Sequence, residues 1–447
     1  MGDGTDRPYW MSQSARLQDP SLAKLQREDR AYAAETQNPA EPTGNATATT
    51  LVPPLISDAA APERWPIEAG IDSKMAPAIT VAFIGPIAGE GEPARGGFES
   101  ANRRTITLLR QHGVEVLELP YPVARGPTWI KTLLYLQGFV RIALSLVRRA
   151  GSFQLVHITP LRRQFILPEM LLCRLTQMLK KRLLLDLRAG DLVSSYQERG
   201  AFHRNCLAIM ISTADVVGSE GNCYVRFLVE TLKASRVVYL PNFTTIPRKR
   251  DEIRFDDLDH RINIVMLGRV APEKGAGLGI EIVRLLRNAN VPARLTIIGT
   301  GAPTYIDFLM EHGKDLPVLF AGSLNPLEIE ARLSKEHIFL FPTRHFGEGH
   351  SNALTEAMAA GLVPVCSDHG FNEDVVGDCG FILSTDSTAD NYASVLLAAI
   401  RSPGLLKSLS FRARSRAECL FSDAHVIPVL LDEYNNLARS MPRGRGN

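Results

Sequence analysis

The chain has 447 residues, 45% of them apolar, and a formal charge of +2. That length allows two or three domains and that apolar share a buried core, which excludes a small disulfide-stapled scaffold and a wholly disordered chain. Six cysteines (173, 206, 223, 366, 379 and 419) form no CxxC pair and no metal-ligand spacing, so they read as small core thiols of a reducing compartment.

No run reaches 18 uninterrupted apolar residues, so no transmembrane helix is expected. The acidic, polar N-terminus does not fit a secretory signal, and Asp6 spoils a myristoylation pattern after Met1-Gly2. The expected location is the cytoplasm. The small net charge conceals an asymmetry: residues 78–250 hold 24 Lys and Arg against 12 Asp and Glu, whereas 251–447 hold 19 against 25. The basicity belongs to one domain and speaks of that domain's partner.

Residues 1–77, with runs such as NPAEPTGNATATTLVPP, lack periodic apolar pattern and are expected to be a disordered extension. From residue 78 the pattern alternates between short apolar runs and helical stretches. Strands are predicted at 78–84, 114–119, 154–158, 183–187, 215–218 and 236–240, with a glycine-rich loop (Gly85, Gly89, Gly91, Gly96, Gly97) after the first. A second series follows the charged linker PRKRDEIRFDDLDHR, at 262–268, 294–299, 318–322, 337–341, 362–366 and 380–383. Such alternation predicts two consecutive α/β domains with parallel, doubly wound sheets, at 78–247 and 248–424, and a terminal helical segment at 425–447. Between their facing strand ends lies a cleft, where such sheets place ligands.

The stretch HIFLFPTRHFGEGHSNALTEAMAAGLVPVC (337–366) carries most of the chemistry. It reads as strand, polar loop, helix entered near Ser351, and strand, with Glu348 in the loop and Glu356 two turns into the helix. A helix N-terminus favours an anion such as a phosphate. Carboxylates beside it suit hydroxyl-rich groups at either end of a diphosphate, as in a nucleotide sugar. In LGRVAPEKG (267–275), Arg269 and Lys274 flank a turn and could face one diphosphate, where fixed cations stabilise a leaving nucleoside diphosphate. The glycine-rich loop is neither a P-loop nor a clean GxGxxG; Gly96-Gly97 at a helix start would let a sugar or diphosphate approach the backbone. Asp257-Leu258-Asp259 sits in the charged linker without a strand before it, so it reads as solvated charge and no metal site is expected.

These motifs resemble the retaining glycosyltransferases of family 4, which have the GT-B fold of two Rossmann-like domains facing a central cleft. The resemblance rests on GRVAPEKG (268–275), IIGTGAP (297–303), FAGSL (320–324), FPTRHFGEGHSNALTEAMAAGLVPV (341–365) and HGFNEDVV (369–376). Looser matches are ARGGFES (94–100) and LVHITP (155–160). The resemblance implies that Arg269 and Lys274 bind the donor diphosphate with the backbone of Ser351 and Asn352, and that Gly97 joins the donor site. It further implies that Glu356 holds the ribose, that Gly322 and Leu324 meet the base, and that Glu348 is the catalytic residue beside the transferred sugar. It implies a UDP- or GDP-sugar donor, a glycan or lipid-linked acceptor, no cofactor and no metal, in envelope or exopolysaccharide assembly. The terminal helix would cross back to the first domain. Some relatives carry His-x-His where this chain has His157-Ile158-Thr159, so His157 reads as a packed strand residue and no acceptor-side base is assigned. The alternatives are a sugar-nucleotide epimerase of the same architecture, or a non-catalytic scaffold of a polysaccharide assembly complex.

Two stretches, 129–150 and 161–182, combine apolar residues with Arg and Lys. In so basic a domain they point to an anionic membrane surface and a peripheral protein on the inner face of the plasma membrane. No aromatic-interleaved basic motif of the RNA-binding sort is present, so no nucleic-acid partner is expected.

Overall fold

The computed structural model describes residues 79–89, 96–124, 126–188, 190–247, 255 and 261–440. The expected extension over 1–77, Gly91 and Asp257-Leu258-Asp259 lie outside them.

Each domain is built on six parallel strands. The first sheet comprises β1 (Thr80–Gly85), β2 (Glu115–Pro120), β3 (Leu155–Ile158), β4 (Arg182–Leu187), β5 (Val216–Ser219) and β6 (Val237–Tyr239), in the order β2-β1-β3-β4-β5-β6. The second comprises β7 (Ile262–Leu267), β8 (Ala293–Ile298), β9 (Val318–Gly322), β10 (Ile338–Phe341), β11 (Val363–Ser367) and β12 (Phe381–Leu383), in the order β12-β11-β10-β7-β8-β9. All twelve fall where the apolar runs predict them. Strands such as VAFIG and IFLF are buried on both faces because helices cover both sides of the sheet, so their sequences need not alternate. In each sheet the chain order reverses beside the first strand, between β1 and β3 and between β7 and β10. The loops leaving these strands form a crevice at the carboxyl ends, and it is these loops that supply the site.

Five helices bear on function: α1 (Gly97–Gln111), α2 (Thr128–Arg148), α3 (Ile166–Met178), α4 (Asn352–Ala359) and α5 (Asp423–Arg439). The last follows the second domain but packs on the first, burying Leu430, Tyr434 and Leu437 with Val81, Leu109 and Leu155. The two interdomain crossings lie side by side. Thr244 N–H donates to the Phe421 carbonyl at 2.9 Å, and Asp423 N–H donates to the Thr244 carbonyl at 3.1 Å.

His157 is fully buried, and its Nδ1 meets the Tyr434 hydroxyl at 2.6 Å. Burial lowers its pKa, so the ring is a neutral structural link between β3 and α5. Thr159 is also buried; its hydroxyl accepts from Asn102 Nδ2 at 2.9 Å. Tyr434→Phe leaves His157 Nδ1 without that partner and should lower unfolding stability by ~1–3 kcal/mol, read as a lower urea midpoint at unchanged slope.

Helix α2 departs from the sequence expectation. At 21 residues it is long and apolar enough by composition to cross a bilayer, despite the interruptions at Lys131 and Arg141. It lies along the first domain instead, with Phe139, Ile142 and Leu146 buried. Gly138 permits this packing, since a Cβ there would overlap the Pro122 ring. Its outward stripe is nevertheless apolar: Trp129, Leu133, Leu136, Val140, Leu144 and Val147 are all exposed. The spacing of three and four residues places them on one face. Among the cysteines, 173, 206, 366 and 379 are buried, whereas Cys223 and Cys419 are exposed and so are not core thiols.

Candidate functional site

A cleft of about 850 Å³ opens between the two sheets and is lined from both. Gly97, Arg269, Lys274, Leu324, Glu348, Ser351, Asn352 and Glu356 all line it, so eight of the nine site residues expected from sequence converge. Gly322 is the exception. It ends β9 with φ +67° and its carbonyl accepts the Gly299 N–H at 2.8 Å, which leaves Leu324 as the residue of that turn in the cleft.

Glu348 is 8% exposed and is held by two donors on one oxygen: Lys274 Nζ at 2.5 Å and the Thr343 hydroxyl at 2.7 Å, both to Oε2. Among the described residues no donor reaches Oε1, so half of the carboxylate remains for a ligand. Lys274 ends a short turn, Pro272–Lys274, followed by Gly275 at φ +79°, and its Nζ sits 5.6 Å from the centre of the Phe341 ring. The sequence assigns Lys274 and Glu348 to different parts of a ligand; the structure makes them one ion pair. Arg269 is the looser cation. Its side chain is 59% exposed and meets Glu273 at 3.2 Å.

Ser351 caps α4, its hydroxyl accepting the Leu354 N–H at 3.4 Å. The first N–H groups of the helix, on Asn352 and Ala353, have no intrahelical acceptor and stand at the cleft wall. Asn352 Nδ2 reaches across to the Gly97 carbonyl at 3.1 Å, so the starts of α1 and α4 face each other over the site. Glu356 is already engaged: Arg104 of α1 donates to its Oε1 at 2.9 Å and also binds the Phe243 carbonyl.

The first domain adds residues that sequence reasoning did not single out, namely Arg104, Arg188, Glu220 and Asn242. Arg188 and Glu220 immediately follow β4 and β5, and that position at a strand's carboxyl end was the available signal. Burial pushes the Glu220 carboxyl up to about 8, against the pull of Arg188. For Asp186 burial acts upward too, but Arg188 Nε at 2.6 Å and His157 outweigh it and hold its carboxyl below the usual range. Burial drives His350 down to about 3, so that imidazole is neutral. Among the described residues no group of three or more His, Cys, Asp or Glu could hold a metal ion.

This arrangement presents an anion-favouring helix start, two cations and an oriented carboxylate in one cleft. Within the second domain, residues 261–402 match the model of the family described as glycosyl transferases group 1. Among individual proteins, AmsK of Erwinia amylovora, an amylovoran biosynthesis glycosyltransferase, is 29% identical over 175 residues, 37% of this chain. That match spans 43% of AmsK, less than half of the relative. Sucrose-phosphate synthase of Thermosynechococcus elongatus superposes with a TM-score of 0.63 at 16% identity, over 81% of this chain and all of that one. HepE of Anabaena, solved in complex with UDP, gives a TM-score of 0.59 at 14% identity, over 80% and 100%. At such identities these likenesses show the fold, which is GT-B.

Proposed function

We propose that this protein is a retaining, metal-independent glycosyltransferase of family 4 that moves a sugar from a UDP- or GDP-sugar to a glycan or lipid-linked acceptor in envelope or exopolysaccharide biosynthesis. The observation that carries the reading is the Lys274–Glu348 pair, its carboxylate buried, beside the α4 N-terminus. The group 1 match and the amylovoran function in AmsK's name support it. HepE, a neighbour in fold, has been solved with UDP-glucose, which favours a UDP-sugar.

In this reading the donor diphosphate lies against the α4 N–H groups, Arg269 and Lys274. The bond between the sugar's anomeric carbon and the β-phosphate oxygen breaks, and the acceptor oxygen bonds to that carbon on the same face. The acceptor's proton passes to the departing phosphate oxygen, so no protein base is needed. The cations and the helix start stabilise the charge growing on the phosphate without reorganising. Glu348 Oε1 orients the transferred sugar while Oε2 stays with Lys274. Glu356 holds the ribose in exchange for Arg104, and Leu324 meets the base. The test is nucleotide release across UDP-, GDP- and ADP-sugars with lipid extract as acceptor. Release with none of the donors, from folded protein, would overturn the reading.

The same proposal places the protein at an anionic membrane on the cytoplasmic side. The exposed α2 stripe, with Leu167, Leu171 and Met178 of α3, would enter the interface. Lys131, Arg141, Arg148 and Arg149 flank the α2 stripe, and each basic residue near such a surface adds ~1 kcal/mol. Binding to vesicles containing phosphatidylglycerol should fall as salt rises and weaken about tenfold or more in a Leu136→Glu, Val140→Glu double variant. Binding equal to that of the parent protein would remove α2 from the docking face.

A further inference from the structure

We propose that Glu220 and Asn242 are positioning residues for the loop that carries Glu348, gripping the His350 peptide from the opposite domain on both of its polar edges. The Glu220 carboxyl faces the His350 N–H and interacts with it. Asn242 Nδ2 donates to the His350 carbonyl at 2.6 Å and to Glu220 Oε2 at 3.4 Å. All three residues are buried: Glu220 is 4% exposed, Asn242 9% and His350 3%.

The gripped peptide stands between the two chemical parts of the loop. Glu348 lies two residues before it and the Ser351 cap one residue after. Gly349 is pressed against the Glu220 carboxyl so closely that a Cβ would overlap it, and Gly190 touches the Glu348 carbonyl on the same terms. The His350 ring packs mainly on its own domain, with Nε2 meeting the Thr355 hydroxyl at 2.9 Å and its edge on Phe421, and the Glu220 backbone of the first domain also meets it. The first domain therefore holds the His350 peptide and touches its ring. Glu220 and Asn242 follow β5 and β6, so they leave the loop whenever the domains part. The His350 peptide is gripped only in the closed cleft, whereas Lys274, Thr343 and the Ser351 cap hold its neighbours from within their own domain. What that fixing achieves rests on the transferase reading; the grip itself does not.

Closure is also linked to a proton. Around Glu220 stand Arg188 and Asp186 of the β4 end, Arg162 after β3, Tyr224 after β5, Tyr239 at the end of β6, and the His350 peptide of the other domain. In the closed cleft burial outweighs the cations and the carboxyl keeps its proton to about 8. With the cleft open, water reaches Glu220 and its pKa returns toward the ordinary ~4.3. The sign follows: the closed state is fully favoured below the open-state pKa and loses ground as pH rises toward 8. Each pH unit in between lowers the closed-to-open ratio by up to about tenfold.

The experiment reads hydrogen exchange of segment 346–356 in the full chain without nucleotide, from pH 5.5 to 8.5, corrected for intrinsic exchange. The parent protein should lose protection at least about tenfold across that range. Glu220→Gln, which keeps a neutral hydrogen-bonding group, should stay protected and flat; Asn242→Ala should exchange faster at every pH. Protection of β3 and β10 reports whether each variant is folded, and the parent series decides even if a variant is not. A parent segment indifferent to pH, a Gln variant with the parent's pH dependence, or an Asn242→Ala variant with unchanged protection would each overturn the grip. No donor is present, so the pattern can appear in a chain that transfers no sugar, and sugar transfer can persist where the pattern is missing.

Discussion

Glu348→Gln should lower the turnover of sugar transfer by about 10²–10³-fold while leaving the donor KM within a few-fold. The substitution preserves the shape of the side chain and its contact with the Thr343 hydroxyl, but removes the charge that Lys274 faces at 2.5 Å. Charge at this position matters most when the anomeric carbon turns positive and the phosphate leaves. The loss should therefore appear in the chemical step rather than in binding. Lys274 is 18% exposed at its side chain and can turn toward water in the cleft, so unfolding stability should change by no more than ~1 kcal/mol. Turnover at the parent rate would remove Glu348 from the reaction.

Lys274→Met should harm both folding and transfer. It leaves Glu348 buried without its cation, and breaking a buried pair from one side costs about 3 kcal/mol. Removing countercharge from the leaving diphosphate should slow transfer by a further ~10²–10³-fold. Arg269 gives the contrast. At 59% exposure it should change stability by no more than ~0.5 kcal/mol when replaced by Met, and act mainly on donor binding. Combining Lys274→Met with Glu348→Gln should recover most of the lost stability and none of the activity, with a coupling energy above ~1 kcal/mol in urea unfolding. Strictly additive effects on stability would show that the pair is not what holds the loop.

The fold was legible because parallel strands covered on both faces, such as INIVML and VPVCS, are continuous apolar runs that few other elements imitate. The second-domain half of the site was legible for a related reason. GRVAPEKG and the Glu348–Glu356 element each follow a strand at its carboxyl end, so the topology brings them together. Pairing across the cleft was not legible. Arg104 is one of several basic residues on α1, and only the docking of the second domain turns it toward Glu356. Within the second domain, Lys274 and Glu348 follow the neighbouring strands β7 and β10, but they are 74 positions apart and that pairing ends at Phe339 with Val265, before either loop begins. The outward apolar stripe of α2 was hidden for another reason: sequence shows apolar residues all around the helix, and only packing decides which three are covered.

The crossing at Thr244 and Ser422 has a mechanical consequence. Two strands of chain pass between the domains at nearly one place and are bonded to each other there, by Thr244 with Phe421 and Asp423 and by the Thr245 hydroxyl with Asp423 at 2.9 Å. A single tether would leave the domains free to swivel, slide and drift apart. Two tethers laced at a common point behave as the spine of a book, permitting the covers to open and little else. The halves of the site should thus meet in the same alignment each time the domains close.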